Sequence, residues 1–131
     1  MPIGDMTSPE IERIAKQILD AAFCVHSEIG PGALESIYEV CLAHELNKRG
    51  LVTKRQVALP IVYDGIRFEL GLRLDLVVEE LVIIEVKAFE KVIPVHEAQC
   101  YTYLKVTGLK LCLLINFNTK LLKVGIKRIV H

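Results

Sequence analysis

The chain has 131 residues, of which 52% are apolar, and its 16 basic and 16 acidic side chains cancel to no net charge. That length suits one domain with a real hydrophobic core, residues 1–131, and is too short for two. No uninterrupted apolar run approaches the ~18 residues a membrane span requires, and neutrality argues against a generally basic nucleic-acid-coating surface while leaving room for a local site whose carboxylates offset basic residues elsewhere.

The opening segment, MPIGDMTSPE, has neither a basic start nor an apolar signal run, so a cytoplasmic protein is expected. Ser8-Pro9-Glu10 reads as a helix start: a serine cap, proline at the first helical position and acids in the first turn. Ile11, Ile14, Ile18, Ala22, Val25 and Ile29 recur at helical spacing until Gly30-Pro31-Gly32 ends the run. A second helix is predicted from about Leu34 to Arg49, with Leu34, Ile37, Tyr38, Cys41, Leu42 and Leu46 on one stripe and Gly50 as terminator. The period then changes to two. TKRQVALPIVY and IRFELGLRLDLVV flank Asp64-Gly65, a strong signal for a two-residue hairpin turn. After a second turn at Glu79-Glu80 comes a third strand, LVIIEVKAF, then a helix over about 94–107, an apolar strand LKLCLLINF, and a last strand LLKVGIKRI. The order ααβββαββ predicts an α/β domain with a central mixed sheet flanked by helices. Cys24, Cys41, Cys100 and Cys112 sit singly in apolar segments without zinc spacing and read as reduced core residues.

The third strand raises the main question, because Glu85 and Lys87 interrupt an apolar run where charges are costly to bury. Counting outward from a two-residue turn at Asp64-Gly65 sets Gln56 opposite Arg73 and Lys54 opposite Asp75, so one face collects Lys54, Gln56, Arg73 and Asp75. A strict two-residue turn at Glu79-Glu80 would turn Glu85 away from Asp75. A three-residue turn or a bulge sets Asp75 opposite Glu85, and alignment of the charged positions favours that register. Two carboxylates on adjacent strands would then offer hard oxygens for Mg²⁺ or Mn²⁺, joined by the backbone carbonyl of Val86, with Lys87 beside the ion to assist an attacking water.

These residues resemble the PD-(D/E)xK nuclease superfamily, whose fold core is αβββαβ with Asp on the second strand and (D/E)xK on the third. Asp75 and Glu85-Val86-Lys87 match that pattern, although Leu74 stands where the motif commonly has proline. GALESIY is similar to the signature of the GxxExxY family, through Gly32, Glu35 and Tyr38, and QCYTY is similar to the QxxxY motif of RecB-like nucleases, through Gln99 and Tyr103. The resemblance implies metal-dependent phosphodiester cleavage in nucleic acid, DNA favoured over RNA, with Glu35, Asp75 and Glu85 as acidic site residues, Lys87 as catalytic lysine, and Gln99 and Tyr103 in support.

Each residue also has a plainer reading. Asp75, Glu85 and Lys87 can form a strand-edge salt bridge worth about 0–1 kcal/mol if exposed, and Glu35 can be a solvated first-turn residue favoured by the helix dipole. Tyr103 can pack on the sheet while Gln99 bonds to backbone, and Tyr38 is expected in the core. Lys54 and Arg55 read either as phosphate contacts or as solvated strand-end charges, and His96 as a surface residue near a phosphate. The exposed side of GIKRIVH needs no ligand. Beside the nuclease stand two alternatives: a catalytically silent nucleic-acid- or partner-binding module, and a purely structural or oligomeric protein. Small size allows a homodimer.

Overall fold

The computed structural model describes residues 7–131. Helix α1 spans Pro9–Ile29 and starts as its sequence dictates, with the Ser8 hydroxyl accepting from the Ile11 N–H. Gly30, at φ 76°, ends it. Helix α2 spans Glu35–Lys48. Strands β1 (Thr53–Tyr63) and β2 (Ile66–Val78) form the expected hairpin, with Asp64 and Gly65 both at positive φ in the turn. β3 (Val82–Lys87), α3 (Pro94–Thr107), β4 (Leu111–Asn116) and β5 (Ile126–Val130) complete the chain.

The sheet runs β1-β2-β3-β4-β5. β3 and β4 pair in parallel through the α3 crossover and the other neighbours pair antiparallel. Three helices and a five-stranded mixed sheet therefore match the predicted order among the described residues. Helices α1 and α2 cover one face, burying Leu76, Val78, Val82, Ile84 and Val86. Helix α3 covers the other, where Tyr103 and Leu104 meet Ile83, Cys112 and Leu114. All six β4 residues are buried, as a strand clad on both faces requires.

Several details differ from expectation. The buried stripe of α2 is Tyr38, Glu39, Leu42, Ala43 and Leu46, whereas Leu34 and Ile37 are exposed. The helix is rolled toward β1, where the Glu39 carboxylate finds Arg55 and Gln56. Cys24 is exposed, so only Cys100 and Cys112 are fully buried thiols. Part of the expected last strand, Leu122–Gly125, is a 3-10 turn. Gly125 lies against the Asn116 carbonyl, and a Cβ there would stand 2.2 Å from that oxygen.

The largest difference lies in the hairpin. Tyr63 pairs with Ile66 as predicted, but the register shifts between Leu59 and Ile61, so that Lys54 pairs with Val77 and Arg73 with Ala58. Pro60 has no N–H to give the ladder, and Gly71 leaves the space that the Ile61 side chain fills. Alternation along β2 also changes phase. Leu72 and Leu74 pack with the α3-side core, whereas Leu76 and Val78 pack under α1 and α2. The leucines of β2 therefore do not share one face; they change sides at Asp75.

Candidate active site

Asp75 stands at that change of phase. β2 and β3 are paired at Leu76–Ile84, Val77–Ile83 and Val78–Val82, leaving three residues in the turn. This is the register that sets Asp75 level with Glu85. The regular ladder stops one position short of them, and there the Asp75 carboxylate replaces a backbone acceptor: its Oδ2 accepts the Val86 N–H at 2.9 Å. Strand alternation sends Val82, Ile84 and Val86 toward α1 and α2, and Ile83, Glu85 and Lys87 toward α3.

Glu85 is only 2% exposed. Burial, followed by a hydrogen bond and like charge from Asp75, pushes its carboxyl far above the usual carboxylate range, against the opposing pull of the Tyr103 hydroxyl and Lys87. Two carboxylates thus meet, Glu85 buried and Asp75 half-buried, and their closeness disfavours the charged form of Glu85. Tyr103, buried on α3, hydrogen-bonds Glu85, and burial together with that negative charge raises its own phenol. One turn earlier on α3, the Gln99 Oε1 accepts from the Lys87 Nζ at 3.5 Å. The plain reading of Gln99 as a backbone partner gives way to contact with the lysine.

Glu35 opens α2, half-buried. Burial and the charges of Asp75 and Glu39 raise its carboxyl, while Lys87 lowers it, so it lies within electrostatic reach of the β2–β3 pair. Lys87 borders a cleft of about 410 Å³ that His96, Gln99 and Thr102 also line. His96 accepts the Ile93 N–H through Nδ1 and stacks on Phe89, with ring centroids 5.0 Å apart. Burial and Lys87 lower its pKa, favouring the neutral ring.

The other predicted residues fall elsewhere. Lys54 pairs with Glu80 at 3.2 Å and does not border Asp75. Arg73 is exposed beside Ala58, away from the Gln56 it was expected to face. Arg55 and Gln56 are both held by Glu39, a buried acid that sequence reasoning passed over. Its position four residues after Glu35 on the same helix face was the available signal. Phe89 is likewise unpredicted, with Lys87 Nζ 5.9 Å from its ring centroid.

Acidic side chains from β2 and β3, a lysine two residues beyond, and an α3 glutamine and tyrosine behind them have a counterpart among known families. A family model described as the PD-(D/E)XK nuclease superfamily matches residues 12–129. The chain belongs to the PD-(D/E)XK nuclease superfamily. Its three helices and mixed five-stranded sheet are those of a small restriction-endonuclease-like α/β domain. No curated protein and no solved structure matches it.

Nucleases of this superfamily typically use divalent metals, and the donor set here fits one. Among the described residues no three His, Cys, Asp or Glu side chains converge into a ready metal shell. Mg²⁺, however, takes only one or two carboxylates and keeps several waters. Burial and the neighbouring Asp75 disfavour the charge on Glu85, and the two positive charges of a cation there would offset both.

Proposed function

We propose that this protein is a divalent-metal-dependent phosphodiesterase that cleaves nucleic acid, with DNA preferred over RNA and Mg²⁺ or Mn²⁺ as cofactor. The observation that carries the reading is the buried Glu85 carboxyl against the half-buried Asp75, with Lys87 on the same face of β3 and Gln99 within reach of the lysine. Asp75 and Glu85, with Glu35 and the Val86 carbonyl, would hold the ion. Bound there, a divalent cation would supply Lewis acidity toward a phosphate oxygen and make water a better nucleophile.

The chain's own groups do the rest. Lys87 offers a positive charge to the phosphate or orients the attacking water, and Gln99 fixes the direction of its ammonium. Tyr103 favours the charged form of Glu85 by donating to it, which keeps the acid available as a ligand. The neutral His96 ring and Thr102 provide hydrogen-bonding groups along the cleft for the substrate backbone. We further infer that the chain is a member of the GxxExxY group. Gly32 adopts φ 99°, Glu35 begins α2, and the Tyr38 hydroxyl donates to the Gly30 carbonyl at 2.6 Å while accepting from Ala33 at 3.0 Å. The signature then works as one unit that sets the start of α2, and with it Glu35, over the site.

The test is cleavage of labelled single-stranded, double-stranded and branched DNA and RNA with Mg²⁺ or Mn²⁺. Lys87→Ala is expected to lose about 10²-fold or more in rate while its circular dichroism stays that of the wild type. No cleavage of any substrate, or equal cleavage by the variant, defeats the reading. Charge neutrality favours a second reading: a catalytically silent nucleic-acid- or partner-binding module of the same fold. It predicts salt-sensitive binding that persists in a chelator.

A further inference from the structure

Glu39 is 5% exposed, and both of its carboxylate oxygens are engaged by β1. Oε2 accepts from Arg55 Nε at 3.2 Å and Nη2 at 2.9 Å, and Oε1 accepts from Gln56 Nε2 at 2.6 Å. Gln56 has φ 53°, a left-handed conformation uncommon for a residue with a side chain. Arg55 pairs with Leu76 and Val57 with Leu74, so Gln56 falls opposite Asp75, and these two positions drop out of the regular ladder. In an unbroken ladder the rows on either side of them would share a face. Here Leu76 packs under α1 and α2 while Leu74 packs with the α3-side core. The hairpin turns over at the Gln56–Asp75 row. That turn leaves the Asp75 side chain aimed at Val86 and Glu85.

A strained backbone held by a buried, fully bonded carboxylate, directly across from an acid of the candidate site, is a device for placing that acid. We propose that Glu39, acting through Arg55 and Gln56, is a positioning residue for Asp75: it locks the left-handed turn of β1 and so sets the Asp75 carboxylate against β3. Glu35 and Glu39 are successive turns of one helix, so α2 then serves the site twice, with one acid at its rim and one fixing the opposite strand. The proposal rests on the reading of Asp75 and Glu85 as a cation site, but the placement it describes exists without metal.

The primary measurement is therefore made on metal-free protein: amide hydrogen exchange and chemical shift of Val86, whose N–H reports the Asp75 contact. Glu39→Gln and, independently, Arg55→Lys are expected to lower Val86 protection at least tenfold while the β4 amides stay protected. Gln56→Gly, which adopts positive φ without strain, is expected to restore part of that protection in the Glu39→Gln background. Unchanged Val86 protection in both single variants overturns the proposal. Calorimetry with Mn²⁺ is the second readout: Glu39→Gln should weaken binding about tenfold, and wild-type affinity in the variant counts against positioning. Should the wild type bind no Mn²⁺, the cation-site reading falls, and the Val86 result still decides the role of Glu39.

Discussion

Glu85 is a carboxyl group that folding drives toward its neutral form, and the consequence can be worked out in sign. Its folded pKa lies above the ordinary value of 4.5 because burial, then Asp75, disfavour its charge. The folded state then binds the proton more tightly than the unfolded one, so stability is greatest below about 4.5 and declines as pH rises toward the raised folded value. Metal-free protein should lose on the order of 1–3 kcal/mol between about pH 5 and pH 8. Urea unfolding across that range checks this, and Glu85→Gln should flatten the slope. A slope unchanged in the variant would place the titrating group elsewhere. At this scale the sequence was legible where residue type carried the meaning: Asp75, Glu85, Lys87, Gln99 and Tyr103 gather as their motifs implied. It was illegible for Glu39, because a buried acid on a helix looks like any surface acid until its partners on another element are known.

At the scale of elements, strong local signals located the segments and weak ones misplaced the contacts. Asp64-Gly65 fixed the turn and the first pairs of the hairpin, since few residue pairs accept two positive φ values in succession. Beyond Pro60 the count failed. The shift there depends on Ile61 filling the space over Gly71, a tertiary fit that no periodicity records. The 3-10 turn at Leu122–Gly125 was missed for a similar reason: LKVGI alternates like a strand, but Gly125 must sit under the Asn116 carbonyl. Gly125→Ala should therefore cost about 2 kcal/mol or more, measured by urea unfolding. A loss under about half a kcal/mol would mean that the turn relaxes freely. The same Asn116 accepts from Phe89 N–H at 3.1 Å and donates to its carbonyl at 2.8 Å, tying the end of β4 to the chain just beyond Lys87.

Over the whole molecule, charge neutrality and the crowded acids lead to different expectations. A chain with no net charge gains little from long-range attraction to a polyanion, so on the proposed reading substrate affinity would rest on local charge such as Lys87 and on a bound cation. Cation binding to the folded state alone stabilises it by mass action, about 1.4 kcal/mol at tenfold the Kd, or roughly 3–5 °C in Tm for a chain of this size. A thermal scan with millimolar Mg²⁺ or Mn²⁺ should show that rise in the wild type and none in Asp75→Asn. Equal shifts in both would mean that the ion binds away from β2. Among the described residues no helix is long and apolar enough to cross a membrane.

The parallel pairing of β3 with β4 has a consequence in time. Glu35, Asp75, Glu85, Lys87, Gln99 and Tyr103 have all been synthesised before Leu111, yet β3 takes one of its two neighbours from residues 111–116. On the ribosome these side chains precede the strand that holds β3 in place. An unfinished chain therefore carries every group of the candidate site without the site, and on the proposed reading competence to cut nucleic acid would arrive only when residues 111–116 have paired with β3.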